Sequence, residues 1–324
     1  MQKTILITGS TDGIGLETAR GLYSQGHHIL LHGRNPEKLQ AAEKALSGLS
    51  GAGRVESYLA DLSRMTEVEA LAQAISENHD LLDVVINNAG ILRTPDSLTE
   101  DGLDIRFAVN TLAPCLLTRR LLPLLGPHSR VVNLSSAAQS PVNLKALTGQ
   151  TQIKDQLDAY AQSKLALTMW SRTMAHAKKD NGPVFIAVNP GSLLATKMVK
   201  EGFGTAGSDI RTGADILIRA ALSSEFADAS GEYFDNDIGQ FSSPHPDALD
   251  TRKSKAVVHA IEPALDNTNK LTCLCLAPEM VARPWVNTVS LTKKKRRPLS
   301  PEGRREELHI QARSNKKCNV RTLC

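Results

Sequence analysis

The feature that most constrains this chain is a regular alternation of short β-branched runs with longer helical patterns. TILIT (4–8), HILLH (28–32), RVESYLA (54–60), DVVINN (83–88), RVVNLSS (130–136), PVFIAVNP (183–190) and GEYFD (231–235) read as strands. The stretches between them carry helix periodicity, over about 13–25, 36–46, up to 78, 99–125, 155–179 and 211–223. Strands apolar on both faces and separated by helices predict a parallel sheet covered on both sides. Seven such units make one α/β, doubly wound domain over residues 1–267. Pro114 lies inside the long 99–125 pattern, where it predicts a kink.

Past residue 267 the periodicity stops. Residues 268–324 hold 13 lysines and arginines against 4 acidic residues, and four of the five cysteines. That segment reads as a basic tail, disordered or loosely helical. The body is mildly acidic and gives no expectation of nucleic-acid binding. With Cys115 as its one cysteine it has no disulfide framework, as suits a reducing, cytoplasmic setting. No apolar run reaches the length of a membrane anchor, and no histidine or cysteine spacing marks a metal site.

The first βα turn is ITGSTDGIG (7–15). Glycine there permits a tight turn, close approach of backbone to phosphate, and packing of helix on strand. The helix N-terminus behind it offers unpaired N–H groups to a pyrophosphate. Gly9, Ser10, Thr11, Asp12, Gly13, Ile14 and Gly15 are therefore candidate cofactor contacts. Further along, Tyr160 and Lys164 stand four residues apart in DAYAQSK. Such a spacing is common by chance in a chain with four tyrosines and 18 lysines, so it acquires meaning only from its surroundings.

Those surroundings are specific. TG-x-x-x-G-I-G at the first turn, NNAG at 87–90, NLSS at 133–136 and Tyr160-x-x-x-Lys164 occur in order, three of them at the C-terminal ends of strands. Open α/β sheets bind ligands at those ends. The ordered set resembles the classical short-chain dehydrogenase/reductase family over roughly residues 3–265, closest in pattern to its retinol-dehydrogenase-like branch.

The resemblance implies a Rossmann-type fold, a nicotinamide cofactor and interconversion of a small-molecule carbonyl and an alcohol. It implies a catalytic tetrad of Asn110, Ser136, Tyr160 and Lys164, with Ser136 preferred over its neighbour Ser135. Tyr160 is then the acid that protonates the carbonyl oxygen. A phenol of pKa about 10 is too weakly acidic near neutrality, and a neighbouring ammonium is expected to lower it. Four residues advance about 6 Å along a helix and return to within about 40° of the same face, which sets Lys164 beside Tyr160. Asn110 is expected to hold a relay water behind the lysine.

Cofactor choice turns on the end of the second strand. LLHGRNPEK has no acidic residue there to take a ribose 2′-hydroxyl, and Arg34 follows, with Asn35 beside it. A guanidinium grips a 2′-phosphate in bidentate fashion, so NADP(H) is expected over NAD(H). By resemblance, Asp61 and Leu62 meet the adenine, and Asn87, Ala89 and Gly90 line the adenosine and ribose side. Pro190, Gly191 and Thr196 form the segment after strand six, and 197–210 form a lid with Met198, Val199 and Phe203 as apolar lining. Residues 137–157, longer than is usual in the family, are expected to shape a pocket wall. A homodimer or homotetramer is also implied. Two other readings remain open at this stage: a non-catalytic NADP(H) sensor, and a sugar-nucleotide epimerase of the extended branch.

Overall fold

The computed structural model describes residues 1–266 except 52, 180 and 205. The body begins β1 (Thr4–Ile7), α1 (Gly13–Ser24), β2 (His28–Gly33), α2 (Pro36–Ser47), β3 (Arg54–Leu59), α3 (Met65–Asn78) and β4 (Val84–Asn87). A composite helix follows, with α4 (Ile105–Phe107), a π turn over Ala108–Leu112 and α5 (Ala113–Leu121). Then come β5 (Arg130–Leu134), α6 (Leu144–Leu147), α7 (Gln156–Ala177), β6 (Val184–Asn189), α8 (Lys197–Phe203) and α9 (Ile210–Leu222). The described chain ends with β7 (Tyr233–Asp235), β8 (Gln240–Ser242), α10 (Pro246–Leu249) and α11 (Thr251–Asp266).

The strands form one sheet in the order β3-β2-β1-β4-β5-β6-β7-β8, parallel throughout except for the last pair. The chain winds outward from β1 to β3 and then restarts on the other side of β1 at β4. Between the C-terminal ends of β1 and β4 lies the switch point where such sheets open a crevice. Two apolar cores cover the sheet. One joins alternate residues such as Leu6, Leu30, Val85 and Val131 to α3, α5, α7 and α11; the other joins Ile5, Ile29, Ile86 and Val132 to α1, α2 and α9. The alternation within single strands is the physical signature of a sheet buried on both faces.

The described residues form eight strands where the sequence predicts seven. The extra one, β8, turns back on β7 through Asn236–Gly239, with Gly239 at φ +70° in the left-handed region. Its three residues are too short to carry a readable pattern. The long helix begins at Ile105 rather than near residue 99, because Asp104 caps it by accepting from the Arg106 N–H at 2.9 Å. Pro114 acts differently from a simple kink. It supplies no N–H to the carbonyl four residues back, and the preceding turn widens so that the Ala113 N–H reaches the Ala108 carbonyl. That wide turn carries Asn110.

The 137–157 segment touches the crevice only at its ends. Its middle folds as α6, capped by Asn143, and buries Ala146 and Leu147 in the core that includes α11. Among the described residues no helix is long and apolar enough to cross a membrane, and no group of three metal-ligating side chains is present. The 268–324 segment lies outside the described residues.

Candidate active site

At the switch point lies a cleft of about 730 Å³. Gly9, Thr11, Asp12, Gly13 and Ile14 line its floor, Arg34, Asp61 and Leu62 one end, and Ser136, Tyr160 and Lys164 the other. Ala89, Gly90, Pro190, Gly191 and Thr196 also face it, as expected from sequence.

The glycine turn is held from behind by groups that sequence reasoning missed. Gly9, at φ +63°, lies so close to β4 that a Cβ there would stand 2.9 Å from the Ala89 Cα. Its N–H donates to Nδ1 of the buried His32 at 3.1 Å, and Nε2 of the same ring donates to the Ala60 carbonyl at 3.1 Å. Burial lowers His32 to about 4, so the ring is neutral and holds one acceptor and one donor. Asn88 Nδ2 donates to the carbonyls of Thr8 and Gly9, at 2.8 and 3.0 Å. A Cβ on Gly15 would collide with that amide and with the Gly9 carbonyl, both at 2.4 Å.

Four of the expected cofactor contacts accordingly do not line the cleft. Gly15 is needed for helix-on-loop packing. Ser10 is buried, and its hydroxyl exchanges hydrogen bonds with the His32 backbone. Asn35 caps α2 by accepting from the Lys38 N–H at 2.8 Å. Asn87 is buried between sheet and helices, donating to Thr118 Oγ1 at 3.1 Å and Asn133 Oδ1 at 2.8 Å. For Ser10, Asn35 and Asn87 a nearer structural partner uses the polar group. Lys38, by contrast, lines the cleft and pairs with Asp12 at 3.1 Å.

The shape of the floor fits a dinucleotide. A Cβ on Gly13 would meet no atom nearer than Thr196 Cγ2, in ordinary contact at 3.9 Å across the cleft. The Gly13 N–H donates to the Asp12 side chain at 2.8 Å, and the next N–H groups of the α1 first turn have no helical acceptor of their own, as an anion site needs. At the far end Arg34 is exposed and makes no hydrogen bond or ion pair among the described residues.

The other end carries the residues expected to be catalytic. Helix α7 brings Tyr160 and Lys164 to one face, with the ammonium 5.7 Å from the phenol ring centre. Lys164 Nζ is buried and donates to the Leu134 carbonyl at 2.7 Å, and burial pushes its pKa down to about 8. The Tyr160 phenol departs from the sequence expectation. Burial raises it overall, and the group that opposes the rise is the Ser136 hydroxyl rather than Lys164. Ser136 is distinguished from Ser135 by direction. Both border the cleft, but the Ser135 hydroxyl is turned inward, 2.7 Å from Thr168 Oγ1, whereas the Ser136 hydroxyl meets the Tyr160 phenol.

Asn110 stands behind the cleft rather than in its wall. Its Oδ1 accepts from the Ile91 N–H at 2.8 Å, and its Nδ2 donates to the Ile91 carbonyl and to Ser163 Oγ, at 3.0 and 2.9 Å. Its amide thus ties the segment after β4 to α7, one residue from Lys164. The expected lid is the short helix α8, with Met198 and Val199 lining the cleft. The side chain of Phe203 lies outside the described set. The neck of this lid is fixed by a bridge in which the Ala195 and Ser208 N–H groups donate to the Ser208 and Leu193 carbonyls at 2.7 Å each.

Comparison with known proteins agrees with this geometry. A family model described as short chain dehydrogenase matches residues 3–206. Human retinol dehydrogenase 13 is 33% identical over 268 residues, covering 76% of this chain and 80% of its own. Zebrafish polyprenol dehydrogenase is 34% identical over 256 residues, covering 72% and 78%. Among solved structures, an uncharacterized protein from Mycobacterium Paratuberculosis aligns with TM-score 0.68 and 28% identity, covering 82% of this chain and 94% of that one. A short chain dehydrogenase from Shigella flexneri complexed with NADP aligns with TM-score 0.57 and 28% identity, covering 72% and 96%. The chain belongs to the short-chain dehydrogenase family of oxidoreductases, with relatives in its retinol-dehydrogenase-like branch.

Proposed function

We propose that this protein is an NADP(H)-dependent oxidoreductase that interconverts a carbonyl and an alcohol, with Tyr160 as general acid and base. The observation that carries this reading is the meeting of Ser136 and Tyr160 at one end of a cleft whose other end presents Arg34. When bound, the dihydronicotinamide supplies the hydride that adds to the carbonyl carbon.

The chain's own residues do the rest. The Ser136 hydroxyl donates to the carbonyl oxygen and holds it toward Tyr160. As negative charge develops on that oxygen, the Tyr160 phenol gives up its proton to it. The adjacent Lys164 ammonium favours the phenolate left behind, and its fixed bond to the Leu134 carbonyl keeps it in place. In alcohol oxidation the same proton returns to Tyr160. Arg34 recognises the 2′-phosphate, a dianion that a guanidinium grips and that a diol cannot replace. Leu92, Leu157, Met198 and Val199 give the substrate end an apolar wall, which favours aldehydes and ketones with hydrocarbon substituents.

NADPH consumption followed with a panel of aldehydes and ketones, retinoids among them, tests the reading. Turnover on at least one, with NADPH preferred to NADH, is the expected result. Tight NADPH binding with no turnover across the panel would replace it with the sensor reading.

A further inference from the structure

The β7–β8 hairpin, at the far edge of the sheet from the glycine turn, sends polar groups into two segments of the cleft. Tyr233, 4% exposed, donates from its hydroxyl to the Ser136 carbonyl at 3.2 Å. Gln139 Nε2 donates to the same carbonyl at 2.9 Å. The Ser136 hydroxyl oxygen accepts from the Ala138 N–H at 3.1 Å, which leaves its own proton for another acceptor. Two donors thereby hold the Ser136 carbonyl and a third holds its hydroxyl oxygen. Burial raises the Tyr233 phenol, and Asp235 and Asp237 add to the rise, so the hydroxyl stays protonated and remains a donor.

The turn of the same hairpin holds the segment after β6. Asp237 accepts from the Ser192 N–H at 2.7 Å, from Ser192 Oγ at 2.6 Å and from Asn189 Nδ2 at 2.9 Å. Asn236 Nδ2 donates to the Pro190 carbonyl at 2.9 Å. Gly191, at φ +119°, lies against this turn, so a Cβ there would meet Asn236 Nδ2 at 3.8 Å. Burial pushes the Asp237 carboxyl up, but the bonds from Ser192 and Asn189 outweigh it and hold it below its ordinary value. Residues 189–192 all line the cleft and lead into the lid.

We propose that the hairpin is a positioning platform with two separable outputs: Tyr233 aims the Ser136 hydroxyl, and Asp237 sets the 189–192 segment against the cofactor. The first output rests on the catalytic reading of Ser136; the second does not. Neither residue touches substrate, and both act through the segments they hold. Loss of the Tyr233 hydroxyl lets the Ser136 peptide turn. Ser136 then supports the Tyr160 phenolate less well, and the pH at which alcohol oxidation gains its base moves upward.

The test uses the full chain and three variants, Tyr233→Phe, Asp237→Asn and Ser136→Ala, with urea unfolding confirming that each is folded. Removing one neutral hydrogen bond predicts a kcat about fivefold lower for Tyr233→Phe. Its NADPH dissociation constant stays unchanged, and its oxidation profile shifts to higher pH. In the Ser136→Ala background the Tyr233→Phe change has no further effect, because its route is already cut. Asp237→Asn, which exchanges charge-assisted bonds for neutral ones, weakens NADPH binding about tenfold and leaves kcat at saturation near that of the parent.

Equal losses from Tyr233→Phe with and without Ser136→Ala overturn the first output. An unaltered NADPH affinity in Asp237→Asn overturns the second. If the parent turns over no carbonyl, the catalytic reading fails by itself. The platform is then decided by NADPH binding to Asp237→Asn and by ultraviolet titration of the Tyr160 phenol, taken as the difference from Tyr160→Phe. That titration moves upward in Tyr233→Phe if the first output is right, and stays put if it is wrong.

Discussion

Replacing Lys164 by methionine is expected to stabilise the protein while destroying its activity. The Lys164 pKa falls from the ordinary 10.5 to about 8 through burial. At about 1.36 kcal/mol per unit, that shift corresponds to roughly 3 kcal/mol of cost for keeping the ammonium in place at pH 7. Methionine removes the charge, fits the channel with its flexible stem and leaves the Leu134 carbonyl without the donor it has at 2.7 Å. An unmade bond of that kind costs about 1–2 kcal/mol. The balance predicts a gain of roughly 1–2 kcal/mol, or about 0.5 M in the urea midpoint at a slope near 3 kcal/mol/M.

The pH dependence has a definite sign. Between pH 8 and 10.5 the unfolded chain binds the Lys164 proton and the folded one does not, so this group's contribution to stability rises with pH. The advantage of Lys164→Met is therefore full below pH 8 and fades toward pH 10.5. Urea denaturation of both proteins at pH 7 and pH 10 reads it. A variant less stable than the parent at pH 7, or an advantage that grows with pH, refutes the reasoning. A stabilised variant that still turns over substrate refutes the role given to the ammonium.

Two further predictions follow from the cofactor end. Arg34→Ala lowers kcat/KM for NADPH by about tenfold to a hundredfold, the cost of losing charged hydrogen bonds, and leaves NADH almost untouched; steady-state kinetics with the two cofactors separates the cases. Gly9→Ala meets two obstacles, a left-handed φ costing about 1–2 kcal/mol and a Cβ placed 2.9 Å from the Ala89 backbone. It lowers the urea midpoint and weakens NADPH binding at least tenfold in a fluorescence titration.

The fold was legible because its central strands are apolar on both faces, and runs such as TILI and VFIAV admit few other arrangements. β8 was not, since three residues with one buried-side phenylalanine carry no period. The candidate site was legible where residue type and spacing speak together, as at Gly9, Gly13, Tyr160 and Lys164. It was lost where a polar side chain had a choice of partners. Ser10, Asn35 and Asn87 look like cofactor contacts in sequence, yet each satisfies a nearer backbone or buried amide. His32, Asn88 and Tyr233 look incidental, because the atoms they hold come from strands and turns 23 to 97 residues away. The Tyr160 phenol shows the same limit for electrostatics. Spacing gives it a cation, but only the folded chain shows that burial dominates.

The central claim is that Tyr160 moves the proton while a bound nicotinamide moves the hydride. It is tested most directly with NADPH deuterated at the transferring carbon and the best aldehyde of the panel, comparing the parent with Tyr160→Phe. The account predicts deuterium on the product carbinol carbon with the parent. With Tyr160→Phe it predicts turnover about a hundredfold to ten-thousandfold slower, the range expected for a lost general acid, and unchanged NADPH affinity. A Tyr160→Phe enzyme as fast as the parent would contradict it.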